Sequence, residues 1–169
     1  MDDLLLVERQ LGRRPRAFNR VAARCPFGAP AVTEQRPYDD AGDPFPTTYY
    51  LTCPHLVAAM ARLEAAGGVE RFGAAVERDA ELAADLERAT AEQRRIRTGL
   101  AAGRTGKDGG ASLALGIGGS ANPRRLKCLH AHAAYGLARP GYELGRRILA
   151  ELEPLWPDAC CTASCCTGA

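Results

Sequence analysis

No stretch of the chain comes near the roughly 18 consecutive apolar residues that a membrane-crossing helix needs, so no membrane association is expected. Excess charge of either sign is also missing. A net charge of +2 is too small for the strongly basic face that nucleic-acid binders carry, which argues against a nucleic-acid partner. The N-terminal Met-Asp-Asp-Leu-Leu-Leu-Val is acidic and its apolar run covers only Leu4 to Val7. It has neither the basic start nor the length of a secretory signal, and the expected location is cytoplasmic. Aromatic residues are few, at 6% with Trp156 the single tryptophan. Alanine, arginine and glycine are used heavily, but a GC-rich coding bias accounts for that and no function is read from it.

What is there suits one globular domain. A length of 169 residues is enough for a real core. Seven cysteines in a cytoplasmic chain are expected as thiols, ligands or core residues rather than as a disulfide scaffold.

Local patterns place the elements. Residues 3–11 carry Leu4, Leu5, Val7 and Leu11 at helical spacing, with Gly12 and Pro15 as stops. Arg13, Arg14, Arg16, Arg20 and Arg24 follow, interleaved with Phe18, Val21 and Ala22. They read as a solvated basic face or as a surface for an acidic partner. Thr47-Thr-Tyr-Tyr-Leu-Thr52 is the clearest strand, rich in β-branched and aromatic residues. The alternating 31–38 segment is its antiparallel partner across a Pro/Gly/Asp loop. Helices are expected over 56–66, over a long span 69–100, over 123–138 and over 143–152. The fold class that results is α+β, a mostly helical single domain with one antiparallel β-hairpin. It spans 1–157, with a mobile glycine-rich loop at about 101–119 and a disordered cysteine-rich tail at 158–169.

The densest chemistry lies in Gly116-Ile-Gly-Gly-Ser-Ala-Asn-Pro-Arg-Arg-Leu-Lys-Cys-Leu-His-Ala-His-Ala-Ala-Tyr135. Asn122 reads as an N-cap and Pro123 as a first helical residue. Arg124, Arg125 and Lys127 then crowd the first turn and a half, where cations oppose the helix dipole unless something negative stands nearby. Glycines before a helix start suit an anion, so Gly118, Gly119, Arg124, Arg125 and Lys127 form a candidate anion site for a phosphate-bearing ligand. It is not a Walker loop. Gly103-Arg-Thr-Gly-Lys-Asp108 also fails that test, because Asp108 stands where a magnesium-binding hydroxyl is needed.

Cys25, Cys53 and Cys128 with His130 and His132 form a candidate metal site, zinc or an iron–sulfur cluster, and His55 is a further candidate ligand. On a helix from Pro123, Cys128 and His132 share a face and His130 points away. No Cys-x2-Cys pair joins the three cysteines, and buried small hydrophobes are the plain alternative. A Cys128/His132 pair also has the residue types of a thiol nucleophile, without a carboxylate on the same helix to orient the imidazole. The tail cysteines 160, 161, 165 and 166 are poorly placed to chelate one ion together.

Five stretches carry a resemblance: Val7-Glu-Arg-Gln-Leu-Gly-Arg13, Arg24-Cys-Pro-Phe-Gly-Ala-Pro30, Phe45-Pro-Thr-Thr-Tyr-Tyr-Leu-Thr-Cys-Pro54, Arg62-Leu-Glu64, and Gly118-Gly119 through Lys127-Cys-Leu-His130. In these the chain resembles a bacterial, largely actinobacterial, family of uncharacterised proteins, domain of unknown function 501. The resemblance implies no activity. It implies a gene neighbourhood with a septum-formation initiator and an exopolyphosphatase-like phosphatase. Tyr135 stands where the family pattern has a further histidine, so no ligand role passes to that position.

Two functions are therefore expected as alternatives. One is an accessory or regulatory protein with a metal and an anion site, linked to cell division or phosphate metabolism. Its protein partner would meet the basic N-terminal segment or the long helix. The other is an enzyme acting on a phosphate- or carboxylate-bearing small molecule through the Cys/His/Arg cluster.

Overall fold

The computed structural model describes residues 2–161, so the tail expectation for 162–169 lies outside the described residues. The fold is α+β and mostly helical, as the sequence implies. Helix α1 (Asp3–Leu11) is capped by the Asp2 side chain, which accepts from the Leu4 amide, and ends at Gly12 in the left-handed region. Strands β2 (Pro30–Gln35) and β3 (Tyr49–Leu51) make the expected antiparallel pair, in the register Val32 to Leu51 and Glu34 to Tyr49.

A third strand, β1 (Phe18–Arg24), completes the sheet in the order β1-β2-β3. The run of arginines concealed it. Arg20 binds the buried Glu34 carboxylate of β2 through two bonds of 2.9 Å, and Arg24 pairs with Asp3 of α1. These cations are thus neutralised within the fold. The register shifts along β1 are those of a bulged edge strand.

Helix α2 (Pro54–Ala65) opens with Pro54 just after Cys53. The expected long helix is two, α3 (Gly68–Arg78) and α4 (Ala80–Ala101). Asp79 ends the first in extended backbone and caps the second, accepting from the Glu81 and Leu82 amides at 3.1 Å. The glycine-rich loop is tied to the 39–43 turn. The Lys107 amide donates to the Gly42 carbonyl and its ammonium pairs with Asp43 at 2.9 Å.

Helices α5 (Leu129–Ala138) and α6 (Glu143–Ala150) form an antiparallel hairpin. Helix α5 is the centre of the molecule, packed on β3, α2 and α6. Tyr135 of α5 meets Tyr49 of β3 and Tyr142 edge-on, with ring centroids 5.5 and 5.2 Å apart.

Candidate functional site

Helix α5 starts six residues later than the Asn122-Pro123 signal implies. Asn122 does cap, but only a single turn: its side chain accepts from the Arg124 amide and its carbonyl from the Arg125 amide. The Ser120 hydroxyl is placed against both the Asn122 and Arg125 carbonyls, at 2.7 and 3.0 Å. Those carbonyls are no longer free to propagate a helix. Cys128 is the N-cap residue, and the missing cap comes from elsewhere. Glu64 Oε1, near the end of α2, accepts from the Leu129 amide at 2.5 Å and from the His130 amide at 3.3 Å. Arg124, Arg125 and Lys127 therefore precede the helix instead of opposing its dipole from within. The negative group its N-terminus requires is Glu64.

This late start divides the candidate anion residues. Gly119, Ser120, Asn122, Arg125 and Lys127 line a pocket of about 520 Å³ closed by Val69 of α3. Among the described residues neither Arg125 nor Lys127 has an ion-pair partner, whereas Arg124 is bound to Glu87 of α4 at 2.7 Å. Gly118 faces the other way. A Cβ there would stand 3.3 Å from Ala131 Cβ and 3.5 Å from Cys128 Sγ, and its φ of +69° suits glycine. The helix amides foreseen as anion donors are taken, since Glu64 occupies the first two.

On the opposite side of the same segment lies a cleft of about 650 Å³, between β3, α2, the end of α1 and the start of α5. Leu51, Val57, Ala61 and Ala131 give it apolar walls, and Gln10, Thr47, Cys128 and His130 its polar points. Gln10 and Leu11, the 47–54 wall, and Cys128 with His130 come from three of the stretches that carry the family resemblance. Glu64, from a fourth, holds His130: its Oε1 is 3.0 Å from Nδ1, while Nε2 donates to the Val57 carbonyl at 3.2 Å.

The candidate metal ligands separate in the same way. Cys25 is buried in the turn after β1. Cys53 caps α2, and burial pushes its thiol up to about 11. Burial also raises the Cys128 thiol, against the opposing pull of the Ala131 amide. Both ring nitrogens of His130 have acceptors. His132, 1% exposed, lies 2.7 Å from the Tyr142 hydroxyl through Nδ1, and burial alone lowers its pKa to about 4. Among the described residues no three of histidine, cysteine, aspartate and glutamate stand together as an ion site. His55 is bonded to the Pro154 carbonyl. Of the tail cysteines, Cys165 and Cys166 lie outside the described residues, and Cys161 Sγ is 3.6 Å from Cys53 Sγ. The Cys128/His132 pairing fails because, with Cys128 as cap and not first-turn residue, His132 is turned into the core against Tyr142.

Sequence reasoning missed the contacts that Glu64, Tyr142 and Cys161 make. Glu64 had one signal, its place in Arg62-Leu-Glu64. Cys161 had only its place in the cysteine-rich tail, and Tyr142 had none.

These features define a small α+β protein whose central helix is entered by a basic loop with a pocket on each side. The chain belongs to the family described as protein of unknown function DUF501, whose model matches residues 21–149. No curated protein and no solved structure matches it. No helix among the described residues is long and apolar enough to cross a membrane.

Proposed function

We propose that this chain is a binding protein, not an enzyme, and that it holds a phosphate-bearing ligand on the 119–127 loop. The observation that carries this reading is the pair Arg125 and Lys127. Both are exposed, both lack a carboxylate partner among the described residues, and both line the 520 Å³ pocket beside Gly119 and Asn122. Arg124, the cation next to Arg125 in the chain, already has its counter-charge in Glu87. The gene neighbourhood that the family resemblance implies makes phosphate chains the first ligands to try, with the protein acting as an accessory or regulator in cell division or phosphate metabolism. No zinc or iron–sulfur cluster enters this reading.

The test is titration of the protein with inorganic phosphate, pyrophosphate and short polyphosphate, followed by calorimetry and amide chemical shifts. Shifts are expected within 119–127. Removing both charges in Arg125→Ala/Lys127→Ala weakens binding about tenfold or more, while Arg124→Ala changes it little. No binding at millimolar concentrations, or binding that the double variant leaves intact, sinks the proposal.

The open 650 Å³ cleft supports the second reading, an enzyme with the Cys128 thiol as nucleophile. It lacks an obvious base, because His130 is engaged at both nitrogens. Alkylation of Cys128 against pH decides it. An apparent pKa well below the ~8.5 of free cysteine revives the enzyme, and a raised one ends it.

A further inference from the structure

The segment after α6 returns over the start of α2. Arg71 pairs with Glu151 through bonds of 2.6 and 2.5 Å, His55 Nε2 donates to the Pro154 carbonyl at 3.1 Å, and Leu155 and Trp156 pack on the core. These contacts deliver Cys161 Sγ to 3.6 Å from Cys53 Sγ, 108 residues earlier in the chain. Neither sulfur is in a disulfide. Bond formation at ~2.05 Å needs an approach of only about 1.6 Å, available at the exposed Cys161 end.

We propose that Cys53 and Cys161 form a reversible disulfide that fastens the C-terminal segment to the first turn of α2. The oxidant is a low-molecular-weight disulfide of the glutathione type. The exposed Cys161 thiolate attacks one of its sulfurs, forming a mixed disulfide and releasing one small thiolate. The Cys53 thiolate then attacks Cys161 Sγ, forming the internal bond and releasing the second. Two electrons pass from the protein thiols to the small disulfide, and the two protons end on the released thiols. Because burial holds Cys53 protonated, the second step is the slower and quickens as pH rises. Cys53 lies between Thr52 and Pro54, both of which line the 650 Å³ cleft, so the bond stiffens one of its walls.

The experiment takes the full chain, reduces it, adds excess oxidised glutathione and maps the digest by mass spectrometry. The expected product is a peptide pair joining Cys53 to Cys161, lighter by two hydrogens and reversed by dithiothreitol. A rise in Tm of roughly 5–10 °C accompanies it, since the closed loop is long. The variant Cys160→Ser/Cys165→Ser/Cys166→Ser removes the other cysteines of the tail and is expected to give the same pair. The proposal is overturned if Cys161 pairs with another cysteine or keeps a stable glutathione adduct beside a free Cys53. It is equally overturned if the remaining thiols of the triple variant (Cys25, Cys53, Cys128 and Cys161) all stay reduced.

Discussion

Glu64 and His130 are joined by a carboxylate–imidazole contact of 3.0 Å, and the same carboxylate oxygen accepts the Leu129 amide at 2.5 Å. One side chain from the last turn of α2 therefore starts α5 and fixes the imidazole that borders the cleft. It also stands behind Cys128, whose thiol it pushes in the same direction as burial does.

Replacing that carboxylate has two separable consequences. Glu64→Ala leaves the first amides of α5 uncapped and is expected to lower stability by about 2 kcal/mol in urea unfolding, with Glu64→Gln losing less. Alkylation of Cys128 at neutral pH should quicken in Glu64→Gln, since a negative neighbour is gone. Unchanged stability and an unchanged alkylation rate would mean the cap is not formed.

His132 predicts a pH dependence with a definite sign. Burial lowers its pKa from 6.5 to about 4, so between those values the unfolded chain binds a proton that the folded chain refuses. The contribution is complete above pH 6.5 and declines as pH falls toward 4, where it has removed on the order of 3 kcal/mol. Urea unfolding of the wild type should fall across this window more steeply than that of His132→Gln. An imidazole that titrates near 6.5 in the folded protein, read by NMR, refutes it.

The elements legible in the sequence were those whose signals are local. Gly12 stops α1, and Thr47 to Thr52 has the β-branched and aromatic content of a strand. What was not legible depends on partners far along the chain. The arginines around β1 read as a solvated run because Glu34, which absorbs Arg20, lies 14 residues away across a turn. The start of α5 was misplaced because Asn122 and Pro123 form an ideal local signal, while Ser120 blocks the helix there and Glu64 caps it 65 residues upstream. Asp79 is the reverse case. Its capping signal is local, but it sits inside a continuous helical periodicity that hid the break. The candidate site followed the same rule. Arg125 and Lys127 line a pocket together, whereas the spread of Cys25, Cys53 and Cys128 is set by three different elements that no spacing reveals.

Arg97 of α4 is fully buried, and its Nη1 donates to the Phe45 and Pro46 carbonyls at 3.0 and 3.1 Å. It holds the segment that leads into β3. Arg97→Ala leaves those carbonyls unpaired beside a cavity and is expected to cost about 3 kcal/mol or more. Faster hydrogen exchange at Thr48 to Leu51 should accompany the loss. A variant as stable as wild type would show that water replaces the guanidinium.

Two glycines decide how closely α5 and α6 can pack, and a third provides the control. A Cβ on Gly145 would stand 2.7 Å from Tyr142 Cδ1, 2.9 Å from Gly136 Cα and 2.9 Å from the His132 carbonyl. Two of those atoms are backbone, so the helices themselves must separate. Gly145→Ala therefore gains helix propensity yet should lose about 1–3 kcal/mol net, because overpacking at a backbone contact outweighs the propensity gain of about 1 kcal/mol. At Gly73, inside α3, a Cβ meets nothing within 4 Å. Gly73→Ala should raise stability by roughly 0.5–1 kcal/mol. Opposite signs in thermal unfolding are the expected result. If both substitutions stabilise, the α5–α6 contact is looser than the close approach of Gly136 and Gly145 indicates, and the wall of aromatic rings behind it is not held by that contact.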